Sequence, residues 1–487
     1  MAKTNPQVVW QNPQLRQDDR LPDELISFIH ENDTAFLGTS YVATLESAKD
    51  FPSHVGMNHR GGLPGFVRVR PSDGRTIVLP DFSGKISHPH FKFRFLNTRL
   101  CIGNRFMNSV GNIAITPLAS LTFVNFVTGD ILYITGEAKT LIGPEAEALM
   151  RRQKILTTVT TTGYTFVRNV LPLRQDPNVP VARSLYTPPI KFLNEEPSSV
   201  PGHYFKDTWH VTLTKVDLLS QDLAAFRFEI QGASGVEILP GQSVALDFTD
   251  FVGPQQYAYM NPWKPTSLND DRIRTCTVSS AHVDGKTQSF ELMMREKPGG
   301  LVTGALFTVA RKLTESMPRV MNDFKDLGMT VRLVGVSGNF TLPPIQSTSP
   351  NVGRKLLFVA GGIGITRFLS MLKAIRERGE ERDVVLLMST REPEVLLNLV
   401  AGGISPPSGK LKLVVHLFSS QGIPDLDISG AELHKHSFRI SQGFWSEGLK
   451  DLDEREVYLC GPLEFNKAVL EYSGLQANRI HSEGFDY

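Results

Sequence analysis

Two kinds of apolar periodicity divide this chain. In the first third, short runs alternate apolar with polar residues: Ala35–Ser40, Gly65–Arg70, Arg75–Leu79, Ser120–Asn125 and Asp130–Thr135. Turn residues Ser72-Asp73-Gly74 and Thr128-Gly129-Asp130 lie between them. Closely spaced strands joined by hairpin turns predict a small antiparallel barrel. One segment breaks the pattern: Leu21, Leu25, Ile26 and Ile29 recur at helical spacing within Leu21–His30. From Trp209 a second set of strands is predicted over His210–Val216, Ala225–Ile230 and, after the Pro240-Gly241 turn, through Phe248. In the last third, apolar runs at Lys355–Ala360, Asp383–Ser389 and Lys410–His416 each precede a helical stretch, near Phe368–Arg376, Pro393–Leu397 and Phe444–Gly448. Strand–helix alternation predicts a parallel sheet that binds ligands at its C-terminal strand ends.

The candidate chemistry sits at those ends. The strand from Lys355 runs into Gly361, Gly362, Ile363, Gly364 and Thr366, just ahead of a helix. Glycines let the backbone turn tightly and approach a ligand, and a helix start offers unpaired N–H groups and a positive dipole end. A diphosphate suits such a turn, although the spacing differs from the Gly-x-Gly-x-x-Gly fingerprint. Arg367 follows, free either to add charge beside a diphosphate or to point to water. Upstream lie Arg274, Cys276 and Thr277; downstream, a second strand ends in Cys460, Gly461 and Pro462. Arg274 and Thr277 are three apart, so on opposite faces of a strand they would touch different parts of an extended ligand, with the Arg fork suited to phosphate.

These segments, in this order, resemble the ferredoxin-NADP reductase superfamily over residues 205–487. The resemblance implies a flavin-binding barrel, with Arg274, Cys276 and Thr277 on the family's Arg-x-Tyr-[Ser/Thr] motif, and Gly299, Gly300 and Thr303 on the flavin phosphate. It also implies a nucleotide domain using Gly361, Gly362, Gly364, Thr366, Cys460, Gly461 and Pro462, with Phe485 or Tyr487 covering the flavin. Thr277 and Cys460 then stand nearest the reacting atoms. Cysteine replaces the family's stacking tyrosine at position 276, and a buried inert thiol is expected there. Arg367 stands where relatives often have proline. Ser389 and Arg391 would meet the adenosine ribose, and a hydroxyl with a guanidinium suits a 2′-phosphate; NADPH is therefore expected over NADH, with Glu392 counting against it. The flavin is FAD or FMN.

The N-terminal stretch resembles the pyridoxamine-phosphate oxidase superfamily of FMN-binding split barrels, through His59–Phe66, Pro80–Gly84, Asn108–Asn112 and Leu132–Gly136. That resemblance implies a second FMN, touched by Arg60 and Asn112. The aromatic and basic insertion Ile86–Phe95 separates two motifs that normally lie close. Asn169–Arg174 and Leu185–Lys191 look like the connection in bacterial fusions of such a barrel to a flavin reductase. The expected fold is multidomain: an antiparallel split β-barrel (20–160), a Pro-rich connection (161–204), a flavin-binding β-barrel (205–345) and an α/β parallel-sheet nucleotide domain (350–487).

Composition narrows the rest. At 487 residues, about three domains are expected at about 150 residues each. The chain is 41% hydrophobic with net charge +1 and has no basic run, so nucleic acid is not an expected partner. No apolar run reaches the ~18 residues of a membrane span. Its three cysteines, Cys101, Cys276 and Cys460, suit a reducing, cytoplasmic setting and fall short of the four thiolates of a plant-type iron–sulfur cluster. His54, His59, His88 and His90 lack accompanying carboxylate or thiolate motifs, and no metal is expected. The expected function is an NAD(P)H-dependent flavin oxidoreductase passing electrons to a small organic substrate or another acceptor. The alternative is a non-catalytic flavin- or haem-binding barrel with a degenerate reductase half. A homodimer is left open by the split-barrel resemblance.

Overall fold

The computed structural model describes residues 4–487 apart from 17, 83–107, 177–186, 197–203, 233–234, 254–260, 262, 283–285, 346–352, 408, 423–424, 448, 450, 475–479 and 486–487. The chain forms two compact units, one of Met1–Pro197 with Gln255–Asp271, the other of Ser198–Pro254 with Arg272–Tyr487.

In the N-terminal unit, β1 (Gln7–Asn12), α1 (Asp23–Glu31), β2 (Thr34–Tyr41), β3 (His54–Gly61), β4 (Arg68–Val69), β5 (Thr76–Pro80), α2 (Asn108–Ile115), β6 (Leu118–Val124), β7 (Ile131–Ile142), α3 (Pro144–Leu149) and β8 (Ile155–Arg168) follow in order. The strands form one antiparallel sheet, β3-β2-β6-β7-β8-β5-β4, with β1 added on β8. Period-two alternation sets its faces: on β7, Leu132, Ile134 and Ala138 are buried while Tyr133, Thr135 and Glu137 are exposed. The amphipathic α1 adds Leu25, Phe28 and Ile29 to the same core.

Two differences from the sequence expectations stand out here. Strand β4 is only Arg68–Val69, because Gly65 turns the chain at φ +91°. Strand β8 crosses residue 160, where the first domain was expected to end; its threonine-rich sequence carries a weak apolar signal. The described part of the connection is pinned to this unit: Leu193 is buried and bridges to Met150, Arg70 pairs with Glu195 at 3.0 Å, and Lys191 Nζ donates to the Arg152 carbonyl at 2.9 Å. The insertion Ile86–Phe95, with His88 and His90, and Cys101 lie outside the described residues.

The C-terminal unit opens with β9 (Tyr204–Leu218), β10 (Leu223–Ile230), β11 (Val236–Glu237), β12 (Ser243–Asp247), α4 (Thr249–Val252), β13 (Ile273–Thr277), β14 (Lys286–Thr287), β15 (Ser289–Arg295), α5 (Leu301–Ser316) and β16 (Thr330–Ser337). An antiparallel sheet, β13-β12-β16-β9-β10-β15, surrounds Phe226, Phe228, Phe290 and Phe307, with β11 and β14 as a separate ribbon. Helix α5 buries Val302, Leu306, Phe307 and Ala310, the i, i+4, i+5, i+8 stripe of a core-facing helix. Residues 263–271 interrupt this region and belong to the N-terminal unit, so the expected 205–345 domain is not one continuous stretch.

The rest is α/β: β17 (Lys355–Gly361), α6 (Ile365–Arg378), β18 (Arg382–Ser389), α7 (Pro393–Ile404), β19 (Leu411–Phe418), β20 (Glu432–His436), α8 (Gln442–Glu447), β21 (Glu456–Pro462), α9 (Leu463–Ser473) and β22 (Ile480–Phe485). Its six strands are parallel in the order β20-β19-β18-β17-β21-β22. The chain starts in the middle, builds outward through β20, then returns to the other side of β17 as β21. Strand order therefore reverses between β17 and β21, and in open α/β sheets such a switch point, beyond the carboxyl ends of the strands, is where ligands bind.

Candidate functional site

The glycine turn and the Cys460 turn fall at this switch point. Ala360 pairs with Cys460, Gly361 with Ser389, and Cys460, Gly461 and Pro462 with Glu483, Gly484 and Phe485. One strand-end row thus carries Met388, Ala360, Cys460 and Glu483, with Ser389 and Gly361 paired one residue further on. The glycines have different reasons to be glycine. A Cβ on Gly364 would lie 2.1 Å from the Cys460 carbonyl oxygen, and one on Gly461 3.2 Å from the Gly361 Cα. Gly362 adopts φ +53°, and a Cβ there would meet nothing within 4 Å. Gly361 and Gly461 make room for the Phe465 ring and Gly364 lets the helix start close on β21, whereas Gly362 leaves open space before α6. No side chain caps that helix start; the turn Gly362–Gly364 runs directly into α6, with the Ile365 N–H donating to the Gly362 carbonyl, so the positive end of the combined helix lies at the glycines.

A second such cradle begins α5. Gly299 has φ +72° with open space at its Cβ position, and Gly300 is an N-cap without a side-chain cap. Thr303 Oγ1 accepts from the Lys297 N–H at 3.1 Å, which tightens the turn. Two uncapped helix starts with empty glycine cradles fit two phosphate-bearing groups.

Strand β13 pairs with β12 in unbroken register, Ile273 to Thr277 against Asp247 to Ser243. Arg274 and Cys276 therefore share one face and Thr277 takes the other. Arg274 Nη1 donates to the Ile273 carbonyl at 2.8 Å. Cys276 packs against the barrel core, and burial pushes its thiol up to about 12, opposed by the charge of Arg274. Cys460 is fully buried and likewise pushed up to about 12 by burial, against the pull of the nearby Arg367 guanidinium. Thr366 is buried, its hydroxyl donating to the Ile363 carbonyl at 2.7 Å.

Arg367 departs from both sequence expectations. It is 5% exposed and points neither to water nor beside the diphosphate turn. Its Nη1 donates to the Gly241 carbonyl at 2.6 Å, and its Nη2 to Ser243 Oγ at 3.2 Å and Glu483 Oε1 at 2.5 Å. The Gly241 N–H donates to Ser370 Oγ at 2.9 Å, and Lys373 Nζ donates to the Ser279 carbonyl at 3.3 Å. The three-residue spacing of Arg367, Ser370 and Lys373 was readable as a polar stripe on α6, but its partners were not.

Glu392 also takes a different place from the one expected. It pairs with Arg295, which in turn holds Asp222 at 2.7 Å, and accepts from Ser220 Oγ at 2.8 Å. Its charge is directed into the barrel and neutralised there. Arg391 is exposed, and among the described residues no hydrogen bond or ion pair engages its side chain. Phe485 ends β22, while Tyr487 lies outside the described residues.

The residues expected to touch a second flavin lie in the N-terminal unit. Arg60 on β3 pairs with Asp81 at 3.8 Å. Asn112 on α2 is buried and donates to Thr39 Oγ1 at 3.1 Å, tying α2 to β2. No group of three His, Cys, Asp or Glu residues able to hold a metal occurs among the described residues, and no helix among them is long and apolar enough to cross a membrane.

An antiparallel domain followed by a parallel sheet, each with an open glycine turn at a helix start, is similar to the arrangement of ferredoxin-NADP reductase-like flavin and nicotinamide domains. The chain has curated relatives named as electron transfer or reductase components. The chain is 25% identical over 284 residues to the toluate 1,2-dioxygenase electron transfer component of Pseudomonas putida, covering 57% of this chain and 67% of that one. It is 28% identical over 194 residues to the stachydrine N-demethylase reductase subunit of Rhizobium meliloti, covering 38% and 49% respectively. The chain thus spans from half to two thirds of the length of these relatives. They are named as reductase components, consistent with an NAD(P)H-dependent flavin oxidoreductase. A solved flavohaem-like FAD/NAD-binding domain of nitric oxide dioxygenase from Vibrio cholerae aligns over 57% of this chain and 99% of its own, at 15% identity and a TM-score of 0.38. No family model matches the chain.

Proposed function

We propose that this protein transfers hydride from NADPH to a flavin bound by the barrel of the C-terminal unit, and passes the electrons to a small organic acceptor without an iron–sulfur cluster. The observation that carries this is the glycine turn at the switch point: Gly362 leaves open space before α6, which has no side-chain cap, beside the close-packed Cys460-Gly461 turn.

When bound, the flavin and nicotinamide supply the redox chemistry, and the chain's residues hold and orient them. The α6 N-terminus takes the nucleotide diphosphate. Gly299 and Gly300 at α5, with Arg274, take the flavin phosphate. Cys460 stays a neutral thiol across the working range, so it adds bulk and no charge beside the reacting ring. Ser389 and Arg391 support a 2′-phosphate, and the diversion of Glu392 to Arg295 removes the nearby negative charge that would oppose one. A second flavin belongs, on this proposal, to the N-terminal unit near Arg60.

Anaerobic titration of the purified protein with NADPH and NADH tests this. Bleaching of a bound flavin at lower NADPH than NADH is expected, and Arg391→Ala is expected to erase most of that preference while leaving NADH unaffected. A flavin that neither nucleotide bleaches would overturn the proposal. Flavin counted per chain tests the second site: two supports it and one removes it.

A further inference from the structure

Arg367 occupies a costly position. A cation in the first turn of a helix opposes the dipole, and burying a guanidinium sacrifices hydration that its partners must replace. A small apolar residue would fill the turn without either cost. What the arginine makes instead is a three-way junction among the Gly241 turn, Ser243 and Glu483. Its guanidinium also lies over the Phe340 ring, 5.3 Å from the centroid.

Each end of the junction adjoins a residue of the proposed site. Ser243 is the β-partner of Thr277, on the flavin strand. Glu483 is the β-partner of Cys460, on the nicotinamide side, two residues before Phe485. Gly241 is held at both backbone groups by α6, through Ser370 and Arg367, and its φ of +95° leaves no room for a side chain: a Cβ would lie 2.2 Å from the Phe340 carbonyl oxygen. One side chain on the nucleotide-binding helix therefore fixes the strand beside the flavin motif and the strand beside the nicotinamide turn.

We propose that Arg367 is a positioning residue for hydride transfer, clamping Glu483 on β22 and the Gly241–Ser243 turn so that Thr277 and Cys460 face each other across the two rings. The proposal rests on the flavin–nicotinamide reading above. Hydride transfer is steep in distance and angle, so a clamp of this kind acts on the rate of the chemical step more than on nucleotide affinity.

The test uses the full flavin-loaded chain with Arg367→Met, Arg367→Lys, Glu483→Gln and the Met/Gln double variant. Stopped-flow bleaching is expected to slow by about 10- to 100-fold in Arg367→Met, from a misplaced near-attack geometry, while the nucleotide dissociation constant changes less than about 3-fold. Arg367→Lys should recover part of the rate. The double variant should be no slower than Arg367→Met, because both remove one coupled pair. Independently of activity, hydrogen exchange in the flavin-free protein should speed up across Ile480–Phe485 and Gly241–Ser243 and stay unchanged in the N-terminal unit. A parent that is bleached normally and an Arg367→Met variant bleached at the same rate would overturn the clamp alone. So would slower bleaching without local exchange changes. A parent that neither nucleotide bleaches would overturn the underlying function as well, which separates the two failures. Should Arg367→Met fail to fold, Glu483→Gln removes the charge of the same pair from the more exposed side while keeping an amide acceptor, and a smaller slowing in the same direction is expected.

Discussion

Residues with the same letter carry opposite burdens in this turn. Gly364 has a carbonyl oxygen 2.1 Å from its would-be Cβ, whereas Gly362 has open space and a positive φ. Gly364→Ala must push the start of α6 away from β21, and is expected to destabilise by about 1–3 kcal/mol, the usual cost of overpacking. Gly362→Val should keep its fold, with strain of about 1–2 kcal/mol from the left-handed backbone, and lose nucleotide binding. Thermal unfolding with nucleotide titration separates the two; equal loss of stability in both would contradict the packing described here. Cys460 gives a second residue-scale expectation. Its folded-state value lies above the ordinary thiol value of 9, so its contribution to stability is complete below about pH 9 and lost as pH rises toward 12. Iodoacetamide at pH 8 should leave Cys460 unlabelled in the native protein and label it after unfolding, as read by mass spectrometry.

At the scale of elements, α6 does two jobs on two faces. Its N-terminus follows the open glycine turn at the strand ends, while Arg367, Ser370 and Lys373 face the barrel. Its apolar residues Phe368, Leu369, Leu372 and Ile375 are buried in the core beneath the sheet. Ser370→Ala leaves the buried Gly241 N–H without its partner, at a cost of about 1–3 kcal/mol. The expected result is a lower unfolding midpoint with faster hydrogen exchange at Gly241; unchanged exchange would remove the structural role of that contact. The turn after β18 behaves similarly, since Glu392, Arg295 and Asp222 tie its far side to the barrel and leave Arg391 free to meet solvent or a ligand.

For the whole molecule, the pH response follows from histidines kept neutral in both units. Burial, aided by neighbouring cations, lowers His30 in the N-terminal unit and His282 in the C-terminal unit to about 4; burial and the neighbouring His434 and His436 do the same to His416. Each lies below the ordinary 6.5, so the unfolded chain takes up protons first as the solution is acidified. Stability from these groups is present above pH 6.5 and lost as pH falls from 6.5 to about 4. A steep decline in unfolding temperature over that window is expected, shallower in His282→Asn. A flat profile would show that these imidazoles accept protons in the folded state.

Much of the architecture was written in local pattern. Alternation gave β2, β5, β10 and β18 to within a residue or two, because half-buried or fully buried strands must repeat their apolar positions. The threonine-rich β8 and the small-residue start of α5 carried little such signal and were missed. Gly361, Gly362, Gly364 and Cys460-Gly461 were legible as a turn-and-strand-end motif, since only glycine permits those approaches. Which of them packs and which opens was not, because that depends on the strand brought alongside. The sequence by itself determined the strands, the parallel sheet and the glycine turns, all set by residues near one another in the chain. Tertiary structure alone decided where the long charged side chains went. Arg367 turned to Gly241 and Glu483, and Glu392 to Arg295, across separations of 97 to 126 residues. A flexible side chain reaches several partners, and burial selects among them only after the fold has placed the acceptors.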